Sequence, residues 1–228
     1  MSAAADHAQA TLDGYSIKLG NFIRYLNTIG VTMPSQIGEE HLIAYILHKK
    51  KTCNGVTINT CYRHVRAWIN WMVQRGILKT SPCAGLKTPT LPKTIIKPLS
   101  PDQVESMAAC CTNHFSGIRD KAIIILLYDS GLRRNELSNI TLDDIDIKHS
   151  AIRVMGKGAR ERRVPLGDTA RAALMQYLCL RHDAEPWLFI THYKDRPGKL
   201  TPNGISLVVK RAMQRAKITG VKPKLPTS

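Results

Sequence analysis

The stretch Asp129-Ser-Gly-Leu-Arg-Arg-Asn-Glu-Leu137 follows an apolar run and places two arginines and a glutamate directly after a glycine. Gly131 predicts a turn that ends one helix, so that the residues from Arg133 onward can open the next. Arg133 and Glu136 would then lie on one helical face, where the carboxylate can hold the guanidinium still. A guanidinium held in this way suits a phosphate, because its planar donors match two phosphate oxygens. Taken alone, the same pattern also fits an ordinary surface ion pair.

A second motif follows in Ala151-Ile-Arg-Val-Met-Gly-Lys-Gly-Ala-Arg-Glu-Arg-Arg-Val-Pro-Leu166. Two alternating segments flank a Gly-Lys-Gly tip, which is typical of a β-hairpin with Lys157 at its turn. Together with residues 143–147, the hairpin predicts a small three-stranded antiparallel sheet. Without further context, Lys157 could be a plain turn residue.

The two motifs together are much more specific than either one alone. Gly-Leu-Arg-Arg-Asn-Glu-Leu followed by Gly-Lys-Gly-Ala-Arg-Glu-Arg-Arg-Val-Pro-Leu resembles the catalytic domain of the tyrosine site-specific recombinases, the phage integrase family. The resemblance extends over nearly the whole chain. It implies a mainly α-helical fold with a small antiparallel β-sheet, in which an N-terminal helical, SAM-like core-binding domain precedes the catalytic domain.

The resemblance also implies an activity, a partner and three residue roles. Members of the family recombine or integrate DNA by breaking and rejoining strands through a 3′-phosphotyrosyl intermediate, and they need neither a metal nor a nucleotide cofactor. Arg133 matches the first catalytic arginine, Glu136 the acidic residue that supports it, and Lys157 the lysine that acts as general acid. The implied partner is double-stranded DNA, on which family members assemble into tetramers.

Part of the family pattern is not found in these 228 residues. A His-x-x-Arg motif is expected after the last predicted helix, with the tyrosine nucleophile beyond it, and all seven tyrosines precede that point. We therefore assign no nucleophile and expect a catalytic domain that is incomplete at its C-terminus and binds DNA without cutting it. The alternative is a non-catalytic short homologue that occupies or blocks recombination sites. An unrelated helical transcription regulator would leave both motifs unexplained.

The composition agrees with a polyanionic partner. Lys and Arg number 33 against 17 Asp and Glu, a formal net charge of +16. Up to Leu99 there are 12 basic and 4 acidic residues, and after it 21 and 13, so each part carries +8 and both could contact nucleic acid.

Cysteine and histidine usage excludes several other classes of protein. The six cysteines lack C-x-x-C spacing, and a disulfide between the neighbours Cys110 and Cys111 is improbable, so we expect reduced thiols and a cytoplasmic location. The histidines show no metal-ligand spacing, and no apolar run is long enough for a membrane span. The N-terminal residues 1–6 lack the basic start and the apolar core of an export signal. We therefore expect no metal site and no membrane partner.

Three regions are predicted along the chain: a helical DNA-binding domain over residues 1–80, a basic proline-rich linker over 81–98, and the catalytic domain over 99–228. Four prolines between Lys79 and Pro98 predict an extended course for that stretch. Ser100-Pro101-Asp102-Gln103 is typical of a helix start, with Ser100 as the N-cap.

Helices are predicted in the first domain over residues 7–30, 39–50 and 56–75. The second should turn Leu42, Ile43, Ile46 and Leu47 inward. The third carries an apolar stripe of Ile58, Tyr62, Val65, Ile69 and Met72. Its opposite face supplies the DNA-binding candidates Asn59, Arg63, Arg66, Asn70 and Gln74, although a polar face can also simply meet solvent. Arg160 and Arg162 of the hairpin are further DNA-binding candidates.

In the second domain, the apolar run within 119–128 could by composition be a buried strand, and we assign it as a helix on the strength of the resemblance. Further helices are predicted over 169–181 and from Thr201-Pro202 to about Lys217, with a short apolar segment at 186–190.

Overall fold

The computed structural model describes residues 9–88, 97–156, 161–193 and 196–219, and the chain divides into two compact units, residues 1–94 and 95–228. Residues 89–96 of the predicted linker and the tail beyond residue 219 lie outside the described residues.

The first unit is helical. It contains α1 (Gln9–Thr28), α2 (Glu39–Lys50) and α3 (Gly55–Gln74), with a short 3₁₀ turn at Pro34–Gln36. All three predicted helices are confirmed, and the bounds of α2 agree with the prediction at both ends. Because Asn54 accepts a hydrogen bond from the backbone N–H of Thr57 at 2.9 Å, its side chain caps the start of α3.

The core of the first unit forms around α3. The five residues of its predicted apolar stripe are all buried, at the three- and four-residue steps that keep them on one face. Phe22 and Leu26 of α1 and Leu42 and Tyr45 of α2 are buried in the same unit. The amphipathic pattern of α3 was therefore predicted correctly.

The inward face of α2 differs from the prediction. Ile43 and Leu47 are exposed (42% and 53%), whereas Tyr45 is buried. The Tyr45 ring lies 4.9 Å from that of Phe22 and 5.3 Å from that of Tyr25, so a large aromatic side chain takes the central position. Leu42 and Tyr45 define the buried face, and Ile43 and Leu47 are rotated away from it.

The stretch after α3 was expected to run extended, but its first part packs in turns. Cys83 is 1% exposed in the core of the first unit, and Leu86 packs against that core. The hydroxyl of Tyr62 donates to the carbonyl oxygen of Leu86 at 3.2 Å. The predicted domain end at residue 80 therefore falls inside a packed region, because apolar side chains between the prolines bury against α3.

The second unit is mixed. Its helices are α4 (Pro101–Ala109), α5 (Phe115–Ser130), α6 (Arg134–Asn139), α7 (Asp168–Leu178) and α8 (Pro202–Arg215). Strands β1 (Ile145–Asp146), β2 (Ala151–Met155) and β3 (Glu161–Pro165) form an antiparallel sheet in that order. The prediction of a mainly helical fold with a small antiparallel sheet is confirmed.

Local signals in this unit are also confirmed. Ser100 accepts from the backbone N–H of Gln103 at 3.3 Å, and the Gln103 side chain accepts from the backbone N–H of Ser100 at 3.0 Å. The apolar run chosen as a helix lies within α5, and the helix ends at Gly131, whose φ of 62° is left-handed. Thr201 caps α8 through the backbone N–H of Gly204 at 3.1 Å.

A second hairpin was not predicted. Strands β4 (Ile190–Tyr193) and β5 (Arg196–Lys199) pair antiparallel, with Ile190 opposite Lys199. The residues just before β4 are the expected short apolar segment, in which Leu188 and Phe189 are buried.

Candidate functional site

Glu136 of α6 is the centre of a cluster in the second unit. The residue is 8% exposed, and its two carboxylate oxygens accept four hydrogen bonds from residues that the structure describes. Arg133 donates its backbone N–H to Oε2 at 2.8 Å and its Nη1 to Oε1 at 3.0 Å. Arg162 donates Nη1 to Oε1 at 3.0 Å and Nη2 to Oε2 at 2.9 Å. The predicted contact between Arg133 and Glu136 is therefore present, and a second arginine completes it.

The junction between α5 and α6 positions Arg133. Gly131 ends α5 in the left-handed region, and Leu132 is fully buried next to it. Arg133 is extended, with φ −73° and ψ 146°, before α6 begins, and Leu137 is fully buried within α6. Two apolar anchors thus hold the backbone on either side of Arg133, whose side chain is 45% exposed.

Strand β3 positions Arg162. Arg162 lies opposite Val154 of β2. Val164, two residues further along β3, is buried. Because side chains alternate between the two faces of a strand, Arg162 shares the face of Val164, while Arg163 is exposed on the other. From the sequence, Arg162 is predicted only as a DNA-binding candidate, whereas the alternation along β3 is a signal in the sequence that it faces inward.

Charge pairing dominates the chemistry of Glu136. The hydrogen bonds from Arg162, followed by those from Arg133, lower the pKa of Glu136 to about 2 although its burial acts in the opposite direction. Glu136 is consequently ionised at neutral pH. Two guanidiniums around one carboxylate leave a formal charge of +1, and both arginine side chains are partly exposed, at 45% and 40%. Such a group of donors can bind an oxyanion.

The surrounding contacts fix the cluster within the second unit. Arg134 donates from Nη1 to the Ser206 hydroxyl at 3.0 Å, which joins α6 to α8. Ser138 of α6 donates to the carbonyl oxygen of Leu200 at 2.8 Å. Because α6 is joined to its neighbours on both sides of Glu136, the carboxylate sits on a supported element.

The remaining predicted site residues fall into two groups. Lys157 and Arg160 lie outside the described residues. Five candidates lie on α3 in the first unit: Arg63, Asn70 and Gln74 are exposed, whereas Asn59 and Arg66 are half-buried. The Arg66 guanidinium donates to the Thr88 hydroxyl at 3.4 Å, and Asn70 Oδ1 accepts from the Ser81 hydroxyl at 3.3 Å.

The structure also bears on the sequence expectations about metal sites, membrane spans and cysteines. Within the described ranges, no three His, Cys, Asp or Glu side chains are grouped as a metal site would require. None of the helices in the described part of the chain combines the length and the apolar character needed to cross a bilayer. All six cysteines are free thiols.

Known proteins resemble this chain over most of its length. Tyrosine recombinase XerC from Actinobacillus pleuropneumoniae is 27% identical over 205 residues, which are 90% of this chain and 67% of that protein. Tyrosine recombinase XerA from Pyrococcus horikoshii is 35% identical over 159 residues, which are 69% of this chain and 54% of that protein. The similarity therefore covers about half to two thirds of each relative.

Solved structures show the same fold. A lambda integrase dimer bound to a COC′ core site matches with a TM-score of 0.75 at 14% identity, over 97% of this chain and 76% of that one. A variant of the Tn1549 transposon integrase in complex with a circular intermediate DNA matches with a TM-score of 0.73 at 18% identity, over 98% and 78%. The phage integrase family matches residues 97–226, a stretch that includes the whole Glu136 cluster. The chain therefore belongs to the phage integrase family.

Proposed function

We propose that this chain acts in site-specific DNA recombination as the DNA-binding and phosphate-holding part of a tyrosine recombinase. The cluster of Arg133, Glu136 and Arg162 is the observation that carries this proposal. A carboxylate that is almost fully buried orients two partly exposed guanidiniums, and guanidiniums bind phosphate through paired N–H donors.

The overall charge supports a DNA partner for both units. The net charge of +16 is divided equally at Leu99, and the exposed side chains on the polar face of α3 include Arg63, Asn70 and Gln74. These are side-chain types that contact phosphates and base edges. The relatives are tyrosine recombinases, and one solved structure of the same fold is a lambda integrase tetramer bound to a Holliday junction. We infer double-stranded DNA as the partner and self-association of the chain on it.

The proposed roles follow from what the family reaction demands. A tyrosine attacks the scissile phosphate, a 3′-phosphotyrosyl bond forms, and the bond to the departing 5′ oxygen breaks. Arg133 would neutralise a non-bridging oxygen in the transition state, Glu136 would keep Arg133 in place, and Lys157 would give its proton to the 5′ oxygen.

The 228 residues contain neither the His-x-x-Arg motif nor a tyrosine in the family's nucleophile position. We therefore propose that a polypeptide of these residues holds a DNA phosphate without cutting the strand.

A suicide substrate tests this proposal, because its nick lets the cut fragment diffuse away and traps any covalent intermediate. The expected result is a non-covalent complex on a native gel and no shifted band on a denaturing gel. A covalent adduct mapped to any tyrosine of the chain, or the lack of a native complex, would contradict the proposal.

A further inference from the structure

We propose that Arg162 is a positioning residue that serves as the counter-ion of Glu136 and thereby leaves the positive charge of Arg133 available to a DNA phosphate. This inference rests on the proposed function, since it assigns the phosphate to Arg133. It gives Arg162 a task different from direct DNA contact.

The two arginines make different sets of hydrogen bonds to Glu136. Arg162 donates one guanidinium N–H to each carboxylate oxygen of Glu136, which is the bidentate arrangement that matches a carboxylate best. Arg133 gives Glu136 one bond from its backbone and one from its side chain. Within the described residues, the guanidinium of Arg133 therefore has a single acceptor, Glu136 Oε1, and most of its N–H donors are left for another oxyanion.

The charges lead to the same conclusion. Glu136 is shielded from water, so its charge is only weakly screened and strongly affects whatever lies beside it. Arg133 and Glu136 alone would form a neutral pair with little attraction for an anion. Arg162 restores a net charge of +1 to the cluster and holds the carboxylate from the side of β3.

If Arg162 served only as a structural link between β3 and α6, its substitution would have a different effect from the loss of a counter-ion. If the link itself mattered, Arg162→Met and the double substitution Glu136→Gln with Arg162→Met would be equally damaging, since both lose it. If the charge matters, the double substitution removes one negative and one positive charge and leaves Arg133 with a cluster charge of +1. Arg133 then binds phosphate again.

The experiment uses the full 228-residue chain and a fluorescent DNA duplex, with affinity measured by anisotropy at one fixed salt concentration. Arg133→Met should weaken binding about tenfold, and Arg162→Met should weaken it by a similar factor. The double substitution should bind DNA at least about threefold more tightly than Arg162→Met, because the uncompensated carboxylate is gone, although Arg133 is then held less firmly.

Arg153→Met is the matched control. Arg153 lies on the neighbouring strand β2, is 48% exposed and donates from Nε to Asp144 Oδ1 at 3.0 Å. Its removal changes the formal charge by the same amount and breaks a comparable ion pair away from Glu136. We expect an affinity within about twofold of the unchanged chain.

The outcomes separate this inference from the proposed function. Unchanged affinity of Arg162→Met, or a double substitution as weak as Arg162→Met with both proteins folded by circular dichroism, would overturn the inference. If Arg133→Met still weakened binding in that case, the proposed function would stand. Absence of DNA binding by the unchanged chain would remove both.

Should Arg162→Met fail to fold, Arg162→Lys decides the question. Lysine keeps the positive charge but lacks the fork, so the inference predicts an affinity within about threefold of the unchanged chain. A loss as large as that of Arg133→Met would overturn it.

Discussion

Arg162 and Glu136 meet through two parallel hydrogen bonds, Nη1 to Oε1 at 3.0 Å and Nη2 to Oε2 at 2.9 Å, although they lie on different elements of the second unit. Together with Arg133, this pairing lowers the pKa of Glu136 from 4.5 to about 2. The ionised carboxylate is therefore favoured in the folded chain more than in the unfolded one.

The first prediction is that Glu136→Gln removes the contribution of this one carboxylate to the pH dependence of stability. Because the folded pKa lies below the unfolded one, the contribution of Glu136 is fully present above about pH 4.5 and is lost as the pH falls towards 2. A shift of this size corresponds to about 3 kcal/mol. Chemical denaturation of both proteins between pH 7 and pH 2 should show a difference in unfolding free energy that shrinks below pH 4.5. A difference that stays constant over this range would mean that Glu136 does not titrate in this way.

The second prediction concerns the exposed face of α3. Arg63→Ala combined with Arg66→Ala should weaken DNA binding, because two positive charges are lost from the proposed contact surface. The melting temperature should change little, since Arg63 is exposed and the hydrogen bond that Arg66 makes to Thr88 is long, at 3.4 Å. Arg24→Ala, at an exposed position on α1, is the control and should bind nearly as the unchanged chain does. A strong loss of stability with normal binding would show that this face of α3 supports the fold and does not contact DNA.

The third prediction is structural and contrasts two helical glycines. A Cβ at Gly117 of α5 would overlap the backbone carbonyl oxygen of Thr112, and backbone cannot move aside as a flexible side chain can. Gly117→Ala should cost about 1 to 3 kcal/mol or more. Gly20→Ala in α1, where the added Cβ has no neighbour within 4 Å, should be neutral or stabilising by about 0.5 to 1 kcal/mol. Equal melting temperatures for the two variants would show that a Cβ at Gly117 does not overlap the backbone of Thr112.

The fourth prediction addresses the general acid. The chain would be fused to a segment that supplies the second arginine and the tyrosine of the family, and Lys157→Ala should then slow cleavage about 10²-fold or more. A substrate with sulfur at the 5′-bridging position has a leaving group that needs no proton, so it should restore cleavage by Lys157→Ala. Arg133→Ala should not be restored by that substrate. If the sulfur does not rescue Lys157→Ala, Lys157 does not act as the general acid.

Local sequence patterns predicted much of the fold. Ser100 and Gln103 signal a helix start because the bonds that make the cap join residues three apart, and Gly131 signals a helix end because it tolerates a positive φ. The buried stripe of α3 follows from helical periodicity in the same way. None of these features depends on a distant part of the chain.

Features that depend on distant contacts were missed. The buried face of α2 was assigned from its aliphatic residues, whereas the rings of Phe22 and Tyr25 on α1 select Tyr45 as its centre. The β4–β5 hairpin lacks a clear alternation of apolar and polar residues. Arg162 reaches Glu136 only because β3 folds beside α6, so the partner that completes the site could not be identified from either motif alone.

The most direct test of the central claim is the salt dependence of duplex DNA binding by the chain and by Arg133→Ala. If about 6 to 10 phosphates are contacted, the logarithm of the binding constant should fall against the logarithm of the salt concentration with a slope of about −5 to −9. Arg133→Ala should weaken binding and make the slope shallower by about one, as expected for the loss of one phosphate contact. A slope near zero for the unchanged chain, or an Arg133→Ala variant with unchanged affinity and slope, would contradict the claim that this chain holds a DNA phosphate at Arg133.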